Sequence, residues 1–473
     1  MAPGTVHDTL NLLEPLIRDL SPSRVLTSED PSYRLHSEPY AIQKQSNPHV
    51  VLVPDSVEVL AKIVRFLYDS DIDLAIRGHG FKSASAKHVL VSMLGFKGFT
   101  YDSTKKIATV GAGATCAEVV DNMESVDPGY SVVAARTPSI GVVGTILNGG
   151  LSWMSTEYGC VCDPENFLDA EVVKYDGTVV MASQEPDLLW ALRGGGGGFG
   201  IVTKVLLRAH PYPEDIWSGI VLVPRKWLPQ LIKDMGEFNE REQHPKVTYF
   251  MYLCPKRLLP AVLEEDEPNA GDSVLFHLYD ALGEEHGRLT FAWALDKAGT
   301  IDRTRVTNMK GITKMQRTAD IFRGTMKFLY APMGLPVVGE DIITRAVQWY
   351  ESLGSIDKSI QENSTFVFEF LIVNPPKGGY AQSAWPRTDK FKHLLLLIAS
   401  CPKDGPESQE ELLREITAKA PAEILLDRAG EAAVNPAGLE PYHDAAKVYG
   451  ENYSTLVELR KRYDPRRRFQ AYY

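Results

Sequence analysis

The chain has 473 residues, which at roughly 150 residues per domain indicates about three domains or two large ones. Hydrophobic residues make up 44% and charged residues 23% of the chain, the balance of a globular protein that buries a large core without disulfide or metal cross-links. The 50 Lys and Arg against 61 Asp and Glu give a net charge of −11, which disfavours nucleic acid as a partner because contacts to phosphates need clustered cations.

The sequence also lacks the features of a membrane, secreted or zinc-binding protein. No apolar run approaches the roughly 18 residues that cross a bilayer, and charged residues interrupt positions 1–20, where a signal peptide would have an apolar core. The five cysteines are an odd number and form no Cys-x-x-Cys motif, so neither a disulfide framework nor a zinc site is expected. We therefore expect a cytoplasmic protein that binds neither a metal nor a membrane.

Strands and helices alternate at short spacing in the first quarter of the chain. Apolar residues between 57 and 67 follow helical spacing, and Asp55 and Ser56 before them can cap a helix. The predicted elements are a helix over 6–20, a strand over 50–53, a helix over 57–67, strands over 71–76, 88–93 and 107–110, and a helix over 115–123. This alternation predicts a mixed architecture of helices and sheets.

Glycines are concentrated between residues 136 and 210, including the run at 194–198. They mark either tight turns or backbone pressed against a ligand. A Rossmann site is disfavoured, because Cys116 stands where the third glycine of a 111–116 fingerprint would be, and because the 194–198 run follows a predicted helix instead of preceding one.

The glycine-dense segment ends before residue 216, and from there predicted strands alternate with predicted helices as far as about residue 420. Strands are predicted over 248–253, 273–278, 365–373 and 393–399, and a helix over 408–419. The tail from 441 to 473 is predicted to hold a helix through residue 459.

A series of glycine-bearing motifs occurs in a fixed order, and a further motif closes the chain. They lie at 76–81, 109–114, 136–144, 147–153, 158–163, 169–177, 186–195 and 199–203, with the closing motif at 449–469. The series resembles the FAD-binding domain of the vanillyl-alcohol-oxidase superfamily, in its berberine-bridge-enzyme-like branch. The resemblance covers residues 45–212 and 440–470 well and the middle of the chain loosely.

The resemblance implies an α+β fold. It consists of a two-subdomain PCMH-type FAD-binding domain and a substrate domain with an antiparallel sheet flanked by helices. The implied divisions are an N-terminal helix and lead-in over 1–44, the FAD-binding domain over 45–213, the substrate-binding domain over 214–425 and a C-terminal return to the FAD domain over 426–473.

The resemblance also implies FAD as the cofactor, held by the glycine-rich loops. In the loop after the 71–76 strand, backbone N–H groups would approach the pyrophosphate, and Arg77 and Lys82 would add positive charge. On the residues alone, a structural turn is the alternative for this loop. The implied FAD-binding residues are Arg77, Gly78, His79, Gly80, Phe81, Lys82, Ser83, Thr137, Pro138, Ser139, Ile140, Gly141, Gly144, Thr145, Gly149, Tyr158, Asp163, Gly200, Ile201 and Asn452.

Two departures from the family pattern bear on how FAD is attached. Many members carry a flavin-linked histidine at the position of Phe81, and bicovalent members carry a cysteine at the position of Thr137. Neither residue supplies the usual nucleophile, so non-covalent FAD is expected. His79 or His88 would replace the usual histidine only if the loop were rearranged.

The family likeness implies an FAD-dependent oxidoreductase acting on a small organic substrate, as in the tailoring reactions of secondary metabolism. An oxidase is favoured, in which a base removes a proton, hydride passes to FAD and O2 is the acceptor. A dehydrogenase with another acceptor and a redox-neutral cyclase or isomerase are the alternatives. Tyr449, Glu369 and Gln382 are the catalytic candidates, although strand alternation does not say which face Glu369 occupies. In the family, the position of Ile140 borders the path of O2.

Overall fold

The computed structural model describes residues 3–18, 20–21, 24–82, 84–255, 272–316, 322–373, 375–387, 391–431, 433–440 and 443–473. Their strands form three sheets of four, six and nine strands, and helices pack beside each of them. The predicted α+β class is confirmed. None of the helices in the described residues is long and apolar enough to span a bilayer.

The first sheet is built around parallel strands. Its strands are β1 (Val25–Leu26), β2 (Val50–Leu52), β3 (Leu74–Arg77) and β4 (Val89–Ser92), in the order β1-β2-β4-β3. β4 pairs in parallel with both β2 and β3, and helices Val6–Ile17 and Val57–Asp69 share an apolar core with these strands. The loop at 78–82 therefore leaves the carboxyl edge of a parallel sheet, where ligands of α/β folds bind.

The second sheet surrounds one long central strand. Its strands are β5 (Phe99–Asp102), β6 (Ile107–Gly111), β7 (Tyr130–Val132), β8 (Phe167–Val173), β9 (Val179–Met181) and β10 (Ile201–Pro211). β10 pairs antiparallel with β6, β7 and β8. The helices beside it are Cys116–Val126, Val142–Leu147, Ser155–Tyr158 and Pro186–Leu192. The glycine run at 194–198 joins the last of these helices to β10, in the order that the sequence predicted.

The third sheet is antiparallel throughout. Its strands are β11 (Ile216–Pro224), β12 (Val247–Leu253), β13 (Ser273–Asp280), β14 (Ile301–Asp302), β15 (Arg305–Thr307), β16 (Met326–Leu335), β17 (Thr365–Phe370), β18 (His393–Pro402) and β19 (Ala433–Val434). Its helices are Leu228–Glu240, Glu284–Thr290, Ala292–Leu295, Met309–Met315, Glu340–Ile356, Lys358–Gln361 and Glu407–Leu425. The break between the second and third sheets falls between β10 and β11, beside the predicted division at 213/214. The domain divisions themselves stay a prediction.

Strand β17 separates the core of the third sheet from a cavity. Phe366, Phe368 and Phe370 are fully buried in the core that the sheet shares with its helices. Successive side chains of a strand point to opposite faces, so Thr365, Val367 and Glu369 lie on the other face, where they line the cavity. The three phenylalanines thus decide the orientation of Glu369, which the alternation alone left open.

The C-terminal tail packs against the glycine run of the second sheet. It contains two helices, Ala445–Tyr449 and Asn452–Tyr463, where the sequence predicted one. Gly450 lies between them with a φ of 51°, a left-handed conformation that interrupts a helix and favours glycine. Beyond the second helix, the Tyr473 hydroxyl donates to the Gly197 carbonyl at 2.9 Å.

Candidate active site

Two adjacent cavities lie between the first two sheets and the open face of the third. The large cavity has a volume of about 540 Å³ and the small cavity about 190 Å³. The larger volume is within the range of cofactor and ligand sites. The two cavities meet at a shared wall formed by Tyr40, Arg136, Thr137, Phe328, Tyr330, Glu369, Leu396 and Ile398.

Most of the predicted FAD-binding residues line the large cavity. They are Arg77, Gly78, His79, Gly80, Phe81, Lys82, Thr137, Ile140, Gly141, Gly144, Thr145, Gly200 and Ile201. Ser83 lies outside the described residues. Sequence reasoning missed Gly197 and Gly198 and the tail residues Arg468, Phe469 and Gln470, which also line the cavity. The glycine run itself was the signal for the first two, whereas nothing local to the tail indicated the others.

Six predicted residues do not line the large cavity: Pro138, Ser139, Gly149, Tyr158, Asp163 and Asn452. Asp163 is buried in an ion pair with Arg387 at 3.1 Å and accepts a hydrogen bond from the Cys160 N–H at 2.7 Å. Its loop in turn binds the lining residue Gly150, because the Val161 N–H donates to the Gly150 carbonyl at 3.0 Å. Asp163 therefore supports the wall from behind.

Two other members of this set also make contacts away from the cavity. The Tyr158 ring stacks on His210 at 4.2 Å between centroids, and the Asn452 side chain donates to the Ala384 carbonyl at 3.2 Å. These contacts fasten the loop at 158–163 and the C-terminal helix, and they leave neither side chain in the cavity wall.

Arg77 has a different role from the predicted one. Its side chain is buried, Nη1 donates to the Ser37 carbonyl at 2.5 Å, and Nη2 donates to the Glu38 carbonyl. Burial lowers the pKa of Arg77 to about 10, so the group stays cationic at neutral pH. Its two terminal nitrogens thus bind the chain N-terminal to β2, and Arg77 connects the loop at 78–82 to that segment.

That segment, residues 37–44, is called the lead-in here, and it joins the loop at 78–82 to the third sheet. The Tyr40 N–H donates to the Gly80 carbonyl at 3.1 Å, and the Gly324 N–H donates to the Tyr40 carbonyl at 3.0 Å. The Tyr40 ring stacks on Phe81 with 4.7 Å between centroids. Gln43 binds the backbone of β16, since its Nε2 donates to the Phe328 carbonyl at 2.6 Å. The lead-in therefore contacts the walls of both cavities.

The lining of the large cavity fits a large anionic cofactor. A Cβ atom built on Gly78 or Gly144 would have no neighbour within 4 Å, so the backbone at both positions faces open space and is accessible to a ligand. Lys82 is half-buried there and donates to Asn148 Oδ1 at 3.1 Å and to the Pro436 carbonyl at 2.7 Å. Burial lowers its pKa to about 7, and a nearby phosphate would favour its charged form.

The two histidines that might replace the usual flavin linkage are both engaged elsewhere. His79 Nε2 lies 3.0 Å from the Gly113 carbonyl, a contact that requires this nitrogen to carry the proton. His88 Nδ1 accepts a hydrogen bond from the Asp73 N–H at 2.9 Å, and His88 is not among the residues that line either cavity.

Glu369 is the predicted catalytic residue that lies at the junction of the cavities. Its side chain is 6% exposed, and that of its partner Arg136 is 13% exposed. Arg136 Nη2 donates to Glu369 Oε1 at 2.7 Å and lies 2.5 Å from Oε2. Burial raises the pKa of Glu369, and the guanidinium offsets part of the increase by stabilising the carboxylate.

Tyr449 and Gln382 lie away from both cavities, so the structure does not support their predicted catalytic roles. Tyr449 is buried, with its ring edge against Tyr473 at 5.6 Å between centroids. Gln382 is exposed on the short helix Tyr380–Gln382. Tyr449 was a candidate because it precedes Asn452 in the closing motif, and the structure places its ring in the packing of the tail.

Comparison with known proteins agrees with this geometry. The family model described as an FAD binding domain matches residues 48–183. The chain is 23% identical over 431 residues to the (R)-6-hydroxynicotine oxidase of Paenarthrobacter nicotinovorans, covering 88% of each protein. The structure of BBE-like 1 from Physcomitrella patens has a TM-score of 0.77 at 18% identity and covers 98% of both chains. Residues 48–183 therefore form an FAD-binding domain, and the whole chain has the fold of BBE-like 1.

Other relatives match this chain mainly over its FAD-binding part. An uncharacterised FAD-linked oxidoreductase of Arthroderma benhamiae is 32% identical over 203 residues, which is 41% of this chain and 40% of that protein. The match spans less than half of that relative's length. The match to the FAD-binding family model indicates FAD as the cofactor, and the large cavity, with Gly78, Gly144 and Lys82 in its lining, offers groups that would hold it.

We predict that Arg77→Met weakens FAD binding by about tenfold, because two charge-assisted hydrogen bonds to the lead-in are lost. The dissociation constant would be measured from the fluorescence of released FAD. Arg77→Lys separates this role from a simple charge effect. An ammonium keeps the charge but cannot reproduce the two hydrogen bonds of the guanidinium to the Ser37 and Glu38 carbonyls, so the affinity for FAD should stay low. Arg414→Met on an exposed helix is the matched control. Full retention of FAD in Arg77→Met would contradict the role of this link.

Proposed function

We propose that the protein is an oxidase for a small organic substrate and that Glu369 is its catalytic base. The observation that carries the proposal is the position of this carboxylate in the wall shared by the two cavities. When bound, FAD supplies the hydride acceptor, and O2 is proposed as the final electron acceptor. The substrate would occupy the small cavity, from which Glu369 Oε1 or Oε2 takes the proton.

The neighbouring groups support Glu369 as the base. Burial raises the pKa of Tyr252 and Tyr330 and raises that of Cys254 to about 12, so all three stay protonated at neutral pH. The Glu369 carboxylate is the one acidic side chain among the described residues that line the small cavity. Its contact with Arg136 restricts its orientation, which favours proton transfer at a defined position.

We predict that Glu369→Gln lowers the rate of anaerobic flavin bleaching by substrate at least about a hundredfold, the usual contribution of a general base. FAD content should be unchanged. Glu369→Asp keeps a carboxylate and should retain part of the rate, and Glu411→Gln on an exposed helix face is the control. Substrates would be found by screening purified protein for peroxide formation.

Three outcomes distinguish the alternatives to the oxidase. Bleaching by substrate without reoxidation in air indicates a dehydrogenase with another acceptor. Product formation without bleaching indicates a redox-neutral cyclase or isomerase. Bleaching at the normal rate in Glu369→Gln would exclude Glu369 as the base.

We predict that FAD is held without a covalent bond. Phe81 has no nucleophilic atom, and the Thr137 hydroxyl is far less nucleophilic than a thiolate. Denaturing the protein in acid and centrifuging it should leave the yellow colour in the supernatant. Colour in the pellet would mean that a histidine, most simply His79, has left its contact with Gly113 and formed the linkage.

We predict that Ile140→Val speeds the reoxidation of reduced FAD. Ile140 lines the large cavity, and in the resembling family this position borders the path of O2, where one methylene less widens access. The protein would be photoreduced without oxygen and mixed with aerated buffer in a stopped-flow instrument. Ile356→Val at a half-exposed site is the control. Equal rates for Ile140→Val and the wild type would show that this side chain does not limit access.

A further inference from the structure

The lining of the small cavity combines apolar side chains, neutral polar side chains such as Gln316 and Thr365, and one pair of charged groups among its described residues. Its aliphatic, methionine and phenylalanine side chains include Ile220, Leu275, Met326, Phe328, Leu396 and Ile398. The charged side chains among its described lining residues are Arg136 and Glu369, which pair with each other. The part of the lining that the structure describes therefore contains a buried ion pair and carries no net charge.

The other titratable groups that the structure describes in or directly behind the lining add no charge close to this pair. The thiol of Cys254 and the phenols of Tyr252 and Tyr330 are neutral, as argued above. Gln316 Nε2 contacts His277 Nδ1 at 2.7 Å behind the wall, and burial lowers the pKa of His277 to about 3, so this imidazole is neutral too. An ionic ligand would lose its hydration without gaining an unpaired counter-ion, which is unfavourable in a low-dielectric site.

One donor of the pair is unused. Arg136 Nη1 is buried and has no hydrogen-bond partner among the described residues, while Nη2 is engaged by Glu369. A buried donor without a partner favours any ligand that brings an acceptor to it. The pair offers one unpartnered donor, Arg136 Nη1, and one acceptor, the Glu369 carboxylate. A hydroxyl group can use both, because its oxygen can accept from Nη1 and its hydrogen can be donated to the carboxylate.

The geometry points to a substrate that is uncharged, largely apolar and bears a hydroxyl group, selected by the Arg136–Glu369 pair. This inference rests on the proposed function in placing the substrate in the small cavity, and it adds the chemical class of that substrate. The pair acts as a charge filter: Glu369 disfavours a carboxylate, Arg136 disfavours an ammonium or amidinium, and the two together accept a neutral hydroxyl.

Binding of non-oxidisable probes to the oxidised, FAD-loaded protein tests the filter without catalysis. The probes are para-tert-butylphenol, para-tert-butylbenzoate and para-tert-butylbenzamidine, which share one apolar group and are respectively neutral, anionic and cationic at neutral pH. Dissociation constants would be obtained by calorimetry under nitrogen. The phenol should bind at least about tenfold tighter than either ion, as expected for charges desolvated without a free partner.

Single substitutions should reverse the preference in opposite directions. Glu369→Gln leaves Arg136 unpaired and should make the benzoate the tightest of the three ligands. Arg136→Met leaves Glu369 unpaired and should favour the benzamidine. If either single variant fails to fold, the double variant Arg136→Gln/Glu369→Gln restores an uncharged cavity and should again prefer the phenol to both ions.

Several results would overturn this inference. They are wild-type protein that binds either ion as tightly as the phenol, single variants that keep the wild-type order, and a double variant that prefers an ion. The outcome is separate from that of the proposed base. If Glu369→Gln changes the charge preference but bleaching stays fast, the filter stands and the catalytic proposal fails.

Discussion

A cavity large enough for a dinucleotide cofactor interrupts an interior that is otherwise close-packed, so its irregular walls need hydrogen bonds from behind. Guanidinium groups supply several of them. Arg77 Nη1 donates to the Ser37 carbonyl at 2.5 Å, Arg323 Nη1 to the His79 carbonyl at 2.7 Å and Arg460 Nη2 to the Phe469 carbonyl at 2.7 Å. Guanidinium carries five donors in a rigid plane, so one side chain can satisfy carbonyls that neither a helix nor a sheet pairs. The loops can then stay irregular and still be buried.

The lead-in at 37–44 connects the loop at 78–82 to the third sheet. Tyr40 contacts the loop at 78–82 through its N–H and its ring, and contacts residue 324 through its carbonyl. It also lines both cavities. Backbone hydrogen bonds of Tyr40 therefore connect the loop at 78–82 to residue 324, next to β16, without an intervening flexible side chain.

The Arg136–Glu369 pair brings together two parts of the chain that are far apart in sequence. Arg136 follows β7 of the second sheet and Glu369 lies on β17 of the third, yet their charged atoms are 2.5 Å apart. Desolvating both groups is unfavourable and offsets much of their attraction. A buried pair of this kind is weak evidence for stability, which agrees with a role in binding and proton transfer.

The fold class and the FAD-binding domain could be predicted from the sequence, as could most of the glycine-bearing loops that line the large cavity, because their signals are local. A glycine at 78, 141 or 144 shapes the backbone next to it, and the order of such motifs along the chain is visible without a structure.

The tertiary structure was needed to show what lies opposite each motif. Arg77 binds carbonyls about forty residues earlier in the chain, Tyr449 packs in the tail instead of the cavity, and Gln382 lies at the surface. Glu369 faces the cavity because three phenylalanines of the same strand occupy the helix-covered side. These outcomes depend on which face of an element is covered by another, and the periodicity of a single segment does not carry that information.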